Sequence, residues 1–219
     1  MKNFLLVSAA AFEIAPLIAR LRRNRNFESR GFDFITAETG VGALAAAATA
    51  QGLGVLAQNR HVIFVGTAGI FSGFDDLKGS EALAAPTLCT ASLVAWLPTC
   101  ERLGLGYGIP RGTIHQITVP PAQHAALKLP ALRVLCSPSI SLEAGFSKNL
   151  AATFDPVTTL ENLELFSCIK PLLAFGKSVD IVLGVTNAIG PDAHEQWKKN
   201  HKPAAELAAE HIERNLSDL

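Results

Sequence analysis

The sequence lacks an excess of charge of either sign. Its 219 residues include 19 Lys and Arg against 19 Asp and Glu, so the formal net charge is zero. A chain without a basic surplus has no electrostatic signature for nucleic acid or for an anionic membrane. We therefore expect a small-molecule partner, with neither nucleic acid nor a membrane involved.

Cysteine pairs and long apolar runs are also absent. The four cysteines are scattered without a C-x-x-C pair, and three lie in apolar segments (Cys89, Cys100, Cys136 and Cys168 in all). A buried thiol acts as a small hydrophobe, so we expect neither metal ligation nor disulfides. No apolar segment approaches the roughly 20 residues of a membrane span. Met1 to Ser8 has no cleavage-site pattern and predicts a first strand, so a cytoplasmic location is the default expectation.

Short apolar runs alternate with amphipathic stretches along the chain. Phe4 to Val7, His61 to Val65 and Val179 to Val185 predict buried strands, and helical spacing from Ala10 to Arg23 predicts the first helix. The remaining predicted elements are strands at Phe32–Ala37, Pro86–Trp96, Leu132–Cys136 and Val157–Leu160, and helices at Ala43–Gln58, Glu143–Leu150, Leu163–Phe175 and Lys202–Leu216. The alternation predicts one α/β domain over residues 1–219, with a central mixed, mostly parallel twisted sheet in a three-layer α/β/α arrangement.

Two candidate clusters lie near predicted strand ends, where open α/β sheets bind ligands, and the first carries an acid while the second consists of small residues. Glu13 lies one turn into the first helix, where its carboxylate could hold a water or accept its proton. An acid favoured by the helix dipole is the alternative. Gly66-Thr-Ala-Gly69 predicts a turn at which Thr67, Ala68 and Gly69 let a ligand approach the backbone. An ordinary turn is the alternative, and the segment is neither a P-loop nor G-x-G-x-x-G.

The third cluster carries an acid, and the fourth carries an amide. Glu164 could accept hydrogen bonds from two adjacent hydroxyls, as a ribose offers, with Leu163 in apolar contact with the sugar. Helix capping is the alternative. Asn187 follows the strongest predicted strand, and its amide can pair with a ring nitrogen and a neighbouring carbonyl together. A turn-forming Asn is the alternative. The amide raises the hypothesis of a purine-handling enzyme.

The histidines and Trp96 point to no chemistry in this sequence. We interpret the histidines that precede a strand or lie on helical stretches as solvated (His61, His194, His201 and His211). Trp96 could wall a base, although burial in the core or in a dimer interface is favoured.

Together and in this order, the four clusters resemble the nucleoside phosphorylase/hydrolase superfamily, which contains purine nucleoside phosphorylases and methylthioadenosine/S-adenosylhomocysteine nucleosidases. The superfamily's acid after a small-residue turn matches Ser8 to Glu13, and its Gly-Ser/Thr-Ala-Gly motif matches Gly66 to Gly69. Its Met-Glu ribose motif matches Leu163-Glu164, and its catalytic strand-end Asp or Asn matches Asn187.

Within the superfamily the sequence is most similar to futalosine hydrolases of menaquinone biosynthesis. Their Glu-x-Met-Glu pattern corresponds to Glu161-Asn-Leu-Glu164. Their Ser-Asn pattern, followed by Gly, Asp and Trp, corresponds to Thr186, Asn187, Gly190, Asp192 and Trp197. The resemblance implies hydrolysis of futalosine to hypoxanthine and dehypoxanthinylfutalosine, by a homodimer or larger assembly that needs no metal or organic cofactor.

The resemblance also implies a role for each candidate residue. Glu13 would activate a water, Glu164 would grip the 2′ and 3′ hydroxyls, and Asn187 would stabilise negative charge on N7 of the leaving base. The segment Thr67 to Gly69, with Leu163, would line the base and sugar pocket.

Two physical arguments narrow the expected reaction. Asn187 stands where adenine-specific nucleosidases carry Asp, and its amide suits a 6-oxopurine over a 6-aminopurine. No Arg lies in Ile63 to Val65 or Ser8 to Phe12, and burying a phosphate without a cation is very costly, so water is the expected nucleophile. A methylthioadenosine/S-adenosylhomocysteine or aminofutalosine nucleosidase, a purine nucleoside phosphorylase and a non-enzymatic nucleoside-binding regulatory protein stay open as alternatives.

Overall fold

The structure is a computed structural model, in which residues 2–71, 86–96, 115–121, 128–142 and 159–217 are described. The strands are β1 (Lys2–Ser8), β2 (Phe32–Glu38), β3 (His61–Ile70), β4 (Thr87–Trp96), β5 (His115–Thr118), β6 (Ala131–Cys136), β7 (Thr159–Asn162) and β8 (Val179–Ala188). The helices are α1 (Ala11–Arg23), α2 (Arg25–Ser29), α3 (Ala43–Leu56), α4 (Leu165–Ala174) and α5 (Ala193–Ser217). The helix predicted at 143–150 lies outside the described residues.

The eight strands form one mixed sheet, which confirms the predicted architecture. Strands β2, β1, β3 and β8 run parallel to one another, and β4, β6 and β7 form a second parallel group. Three of the described pairings are antiparallel: β3 with β7, β4 with β5, and β4 with β8. Because β3 pairs with both β8 and β7, five strands (β3, β8, β4, β6 and β7) close into a ring. The order of elements along the sequence did not predict this closure.

Helices cover both faces of the sheet, so the predicted three layers are present. In β1, Leu5 and Val7 pack into one core cluster together with residues of α3 and α4. Phe4 and Leu6 point the other way, into a second cluster with residues of α1, α2 and α5. A strand buried on both sides must be apolar at every position, which explains the continuous apolar runs in the sequence. In the described parts of the chain, no helix is both long and apolar enough to cross a membrane.

Several predicted boundaries were wrong at the ends of elements. Strand β3 continues through Gly66 to Gly69, which was predicted to be a turn, and β8 continues through Asn187. Both extensions follow from strand pairing, since Gly69 and Asn187 are partners in the β3–β8 ladder. Helix α5 begins at Ala193 and continues past Pro203, whereas the apolar spacing predicted a start at Lys202.

Candidate functional site

One cavity, about 470 Å³ in volume, lies at the carboxyl ends of β1, β3 and β8. This volume lies within the range of small-molecule sites. All seven residues that the sequence analysis selected for a site line this cavity: Glu13, Thr67, Ala68, Gly69, Leu163, Glu164 and Asn187. The lining also includes Phe12, Val41, Ile140, Leu142, Glu161, Asn162, Thr186, Ile189, His194 and Trp197. The fold therefore brings together side chains that are as much as 174 residues apart in sequence (13 to 187).

Glu13 is held in place by hydrogen bonds to both of its carboxyl oxygens. The backbone N–H groups of Ala9 and Ala10 donate to Oε2 at 3.1 and 3.2 Å. Thr67 donates to Oε1 from its backbone N–H at 3.0 Å and from its hydroxyl at 3.1 Å. Because β1 and β3 are adjacent, the loop after β1 and the end of β3 meet at this carboxyl group. The alternative interpretation, an acid favoured at the start of a helix, also holds, because the Glu13 carboxyl group caps the backbone N–H of Ala10.

Burial raises the pKa of Glu13 from 4.5 to about 7, and the negative charge of Glu164 acts in the same direction. Hydrogen bonds from Ala10 and Thr67 lower the pKa and offset part of the rise. A carboxyl group whose pKa lies near neutrality can take and release a proton at ordinary pH. The surroundings of Glu13 therefore suit it to general base catalysis.

Glu164 is a second buried carboxyl group in the cavity wall. It lies at the start of α4, and its Oε1 accepts a 2.7 Å hydrogen bond from the backbone N–H of Gly42, before α3. Burial raises the pKa of Glu164, and the Gly42 hydrogen bond lowers it. Asn162, rather than Glu164, caps α4, because its side-chain oxygen accepts from the N–H groups of Glu164 and Leu165 at 2.9 and 2.7 Å. Glu164 occupies the N-cap position of α4, as a helix-terminus acid would, but its side chain makes no capping hydrogen bond.

A bulge in the β3–β8 ladder positions Asn187. Ala68 pairs with Val185 and Gly69 pairs with Asn187, so Thr186 is an extra residue on β8. Thr186 is fully buried, and its hydroxyl lies 2.8 Å from Oδ1 of Asn187 and 3.3 Å from the carbonyl of Ala68. Bulges of this kind re-aim a side chain beside a site. The Thr186 contact orients the Asn187 amide, which lies in the cavity lining.

Gly69 separates two polar side chains on the neighbouring strands. It pairs with Glu161 on β7 and with Asn187 on β8. A Cβ at this position would lie 2.7 Å from Cδ1 of Ile189 and 2.8 Å from Nδ2 of Asn187. Glycine is therefore required for Asn187 and Ile189 to occupy their places.

An aromatic cluster forms the wall on the α5 side. Trp197 stacks between His201, at 4.5 Å between ring centroids, and His194, at 5.9 Å. The ring of Phe12 meets Trp197 edge-on at 5.8 Å. The indole N–H of Trp197 lies 3.5 Å from the hydroxyl of Thr67, which connects the cluster to Glu13. The cluster gives the cavity a broad apolar wall next to the carboxyl group.

Sequence reasoning missed part of the site. His194 is exposed, as interpreted, but it also lines the cavity, and His201, interpreted as solvated, is half-buried against Trp197. His61 was also interpreted as solvated, but its ring is largely buried and lies 2.7 Å from Asp180 at the opposite end of the sheet. The spacing of Trp197, His194 and His201 at three and four residues on one helix could have revealed the cluster. Trp96 packs on the core beside Phe166, as favoured from its size.

The described part of the cavity lining contains neither Lys nor Arg. Three carboxyl groups (Glu13, Glu161 and Glu164) line it, and within the described ranges no cluster of three His, Cys, Asp or Glu residues has an arrangement suited to a metal ion. Cys89, Cys136 and Cys168 are buried free thiols, in agreement with the expectation from their apolar surroundings.

The mixed sheet in three layers is the fold of several solved nucleosidases. Methylthioadenosine/S-adenosylhomocysteine nucleosidase from Helicobacter pylori, solved with butyl-thio-DADMe-Immucillin-A, is similar in structure, with a TM-score of 0.74 and 14% sequence identity over 100% of this chain and 99% of that one. A futalosine hydrolase mutant from Helicobacter pylori has a TM-score of 0.75, with 14% identity over 100% of both chains.

The nucleosidase from Neisseria meningitidis, solved with methylthio-immucillin-A, has a TM-score of 0.74 and 14% identity over 100% of both chains. No family model and no curated protein sequence matches this chain. At 14% identity these structural similarities show the fold that the resemblance implied.

Proposed function

We propose that the protein is a nucleoside hydrolase that cleaves the N-glycosidic bond of a 6-oxopurine nucleoside. The observation that carries this proposal is the convergence of Glu13, Glu164 and Asn187 on one cavity of nucleoside size. The proposed reaction uses one acid that activates water, a second acid that binds the ribose hydroxyls and an amide that binds the base.

Glu13 is the general base in the proposed reaction. The bond between C1′ of the ribose and the purine nitrogen breaks, and the base leaves with the electron pair. A water oxygen bonds to C1′ of the oxocarbenium-like species, and one water proton passes to Glu13. The departing base anion takes up a proton from solvent, and Glu13 returns its proton to solvent. The hydrogen bonds from Ala9, Ala10 and Thr67 fix the carboxyl group in one orientation, which lowers the entropic cost of positioning the water.

Asn187 stabilises the negative charge that grows on N7 of the departing base. A preorganised donor at a developing charge contributes about 2.7–4 kcal/mol. The Thr186 hydroxyl holds Oδ1, and one N–H of Nδ2 donates to the carbonyl of Ala188 at 3.3 Å, so the second N–H is the one that donates to the base. N7 and O6 of a 6-oxopurine are both acceptors, whereas the 6-amino group of adenine is a donor, so an amide group that donates favours hypoxanthine or guanine as the released base.

Glu164 binds the 2′ and 3′ hydroxyls of the ribose, and Leu163 contacts the sugar. The N–H of Gly42 orients the Glu164 carboxyl group, and the pair joins the start of α3 to the start of α4. Charge-assisted hydrogen bonds to the two hydroxyls would contribute about 1.5–3 kcal/mol each.

Water is the proposed nucleophile rather than phosphate. A desolvated phosphate requires cationic partners, and none of the described lining residues is Lys or Arg. Three carboxyl groups in the lining would also oppose a phosphate anion.

Futalosine is the proposed substrate, with release of hypoxanthine in menaquinone biosynthesis. Its large 5′ substituent suits the apolar wall of Phe12, Trp197, Ile140 and Leu142. Methylthioadenosine or S-adenosylhomocysteine is the second candidate, because solved nucleosidases for these compounds share the fold equally well. The two candidates differ in the 6-substituent of the base that Asn187 would meet.

A cytoplasmic homodimer is the proposed working form. Leu44, Val55 and Leu56 of α3 are exposed, and so is Phe175 after α4. A patch of this kind supports a subunit interface on the α3 and α4 side. Light scattering during size-exclusion chromatography would test it, and a mass of 23.2 kDa, that of one chain, would contradict the dimer.

Chromatography of the bases released from a nucleoside panel tests the proposed function. The panel pairs inosine with adenosine and futalosine with aminofutalosine, and adds methylthioadenosine, each with and without inorganic phosphate. We expect hypoxanthine release from the 6-oxo members without phosphate. Adenine release would instead select the second candidate, and phosphate-dependent formation of ribose 1-phosphate would identify a phosphorylase. Binding without release would identify a nucleoside-binding protein.

A further inference from the structure

A third buried carboxyl group, Glu161 at the end of β7, lines the cavity and binds a chain segment, and it has no role in the proposed reaction. Its Oε2 accepts the backbone N–H of Ser141 at 2.9 Å, and its Oε1 lies 2.6 Å from the Ser141 hydroxyl. The hydroxyl of Ser137 lies 3.0 Å from Oε1 and 2.7 Å from the carbonyl of Ser139. Glu161 thus contacts both ends of the segment 137–142, which follows β6.

Segment 137–142 supplies part of the cavity wall. Ile140 and Leu142, the neighbours of Ser141, line the cavity, and they are 57% and 63% exposed. When a ligand covers exposed apolar side chains in a concave wall, their removal from water stabilises the complex. Glu161 contacts this wall at Ser141, which lies between the two apolar residues.

We propose that Glu161 is a positioning residue, which sets ligand affinity by holding segment 137–142 so that Ile140 and Leu142 form a preorganised apolar wall. The inference rests on the proposed function for the identity of the ligand, a purine nucleoside. Binding to a wall that is already ordered avoids the entropic cost of ordering it, so the effect falls on affinity. Loss of such uniform binding raises KM and leaves kcat nearly unchanged.

Two substitutions of Glu161 separate positioning from a direct role of its charge. In Glu161→Gln, the side-chain oxygen can accept the Ser141 N–H while the amide group donates to the serine hydroxyl oxygens. Glu161→Leu has no polar atom for any of these contacts. We expect Glu161→Leu to raise KM about tenfold or more, and Glu161→Gln to stay within about threefold of wild type, where tenfold corresponds to about 1.4 kcal/mol.

A double-mutant cycle tests whether Glu161 acts through the apolar wall. Ile140→Ala alone should raise KM, and adding Glu161→Leu to Ile140→Ala should raise KM by much less than the same change does in wild type. Ser141→Ala removes one hydroxyl contact and should give a smaller increase than Glu161→Leu. Ser92→Ala is the control, since Ser92 donates to Leu132 at an exposed place outside the cavity lining.

Hydrogen exchange keeps this test distinct from the proposed function. Amide exchange in a peptide covering 137–142 should be faster in Glu161→Leu than in wild type and unchanged in Glu161→Gln, whether or not any nucleoside is cleaved. Unchanged exchange in Glu161→Leu would overturn the inference. Equal KM increases in the Gln and Leu variants would also overturn it, because they would show that the charge of Glu161 acts on the ligand directly. Additive effects of Ile140→Ala and Glu161→Leu on KM would overturn it as well. Absence of turnover in wild type would count against the proposed function and leave the exchange result to decide on segment 137–142.

Discussion

Thr67 donates two hydrogen bonds to the same oxygen of Glu13, one from its backbone N–H at 3.0 Å and one from its hydroxyl at 3.1 Å. The contact connects the end of β3 to the first turn of α1, and it favours the charged form of a carboxyl group that burial drives toward protonation. Thr67 therefore adjusts the pH at which Glu13 is able to accept a proton.

Removing the Thr67 hydroxyl should move the activity of the enzyme to higher pH. In Thr67→Val the pKa of Glu13 rises above about 7, because one bond to its charged form is lost. The acidic limb of the kcat/KM profile should move up by about one pH unit, the change that about 1.4 kcal/mol gives. Thr67→Ser keeps the hydroxyl and serves as the control. A limb at the wild-type pH in Thr67→Val would show that Glu13 is not the titrating group.

Neutralising Glu164 should have the opposite effect on the same profile. Its negative charge raises the pKa of Glu13, so Glu164→Gln should move the acidic limb to lower pH. The same change weakens contacts to the ribose hydroxyls and should lower kcat/KM by about 10- to 100-fold. Profiles of kcat/KM against pH for wild type, Glu164→Gln and the surface control Glu206→Gln would measure both effects. A limb that moves upward in Glu164→Gln would contradict the coupling.

A methyl group at Gly69 should displace Asn187 without contacting Glu13 or Glu164. In Gly69→Ala the new Cβ meets Ile189 and Asn187 at 2.7 and 2.8 Å, so both side chains must move. We expect kcat to fall about tenfold or more through the displaced amide, and the free energy of unfolding to fall by about 1–3 kcal/mol through overpacking. Gly52→Ala on α3 is the control, because its Cβ would meet nothing within 4 Å. Wild-type kcat in Gly69→Ala would remove the role assigned to Asn187.

Exchanging the Asn187 amide for an acid should change the preferred base. A protonated Asp can donate to N7 of a 6-aminopurine, whereas the amide favours a 6-oxo edge. In Asn187→Asp the ratio of kcat/KM values for inosine over adenosine should fall about tenfold or more. Asn26→Asp, at an exposed position on α2, controls for the added charge. An unchanged ratio in a folded Asn187→Asp variant would argue against base reading by this residue.

The sequence predicted the central strands and the residues that meet at the cavity, because both depend on local patterns. Continuous apolar runs predicted β1, β3 and β8, which are buried on both faces. Glu13, Glu164 and Asn187 could be selected because each stands at an element end, and parallel strands bring such ends to one edge of the sheet.

The features that the sequence did not predict depend on pairing between distant segments. The ring of five strands and the bulge at Thr186 exist only when β3 has β7 and β8 as partners. Ser137 and Ser141 are 24 and 20 residues away from their partner Glu161, with no periodicity that would relate them. Helix α5 was shortened in the prediction because Pro203 and the preceding polar residues interrupt the apolar spacing.

The most direct test is the initial rate of hypoxanthine release from futalosine in phosphate-free buffer, by wild type and by Glu13→Gln, with hypoxanthine binding measured for both. We predict steady release by wild type, a rate lower by about 10²- to 10⁴-fold in Glu13→Gln, and similar binding of hypoxanthine to the two proteins. A near-normal rate in Glu13→Gln, or release that requires phosphate, would contradict water activation by Glu13.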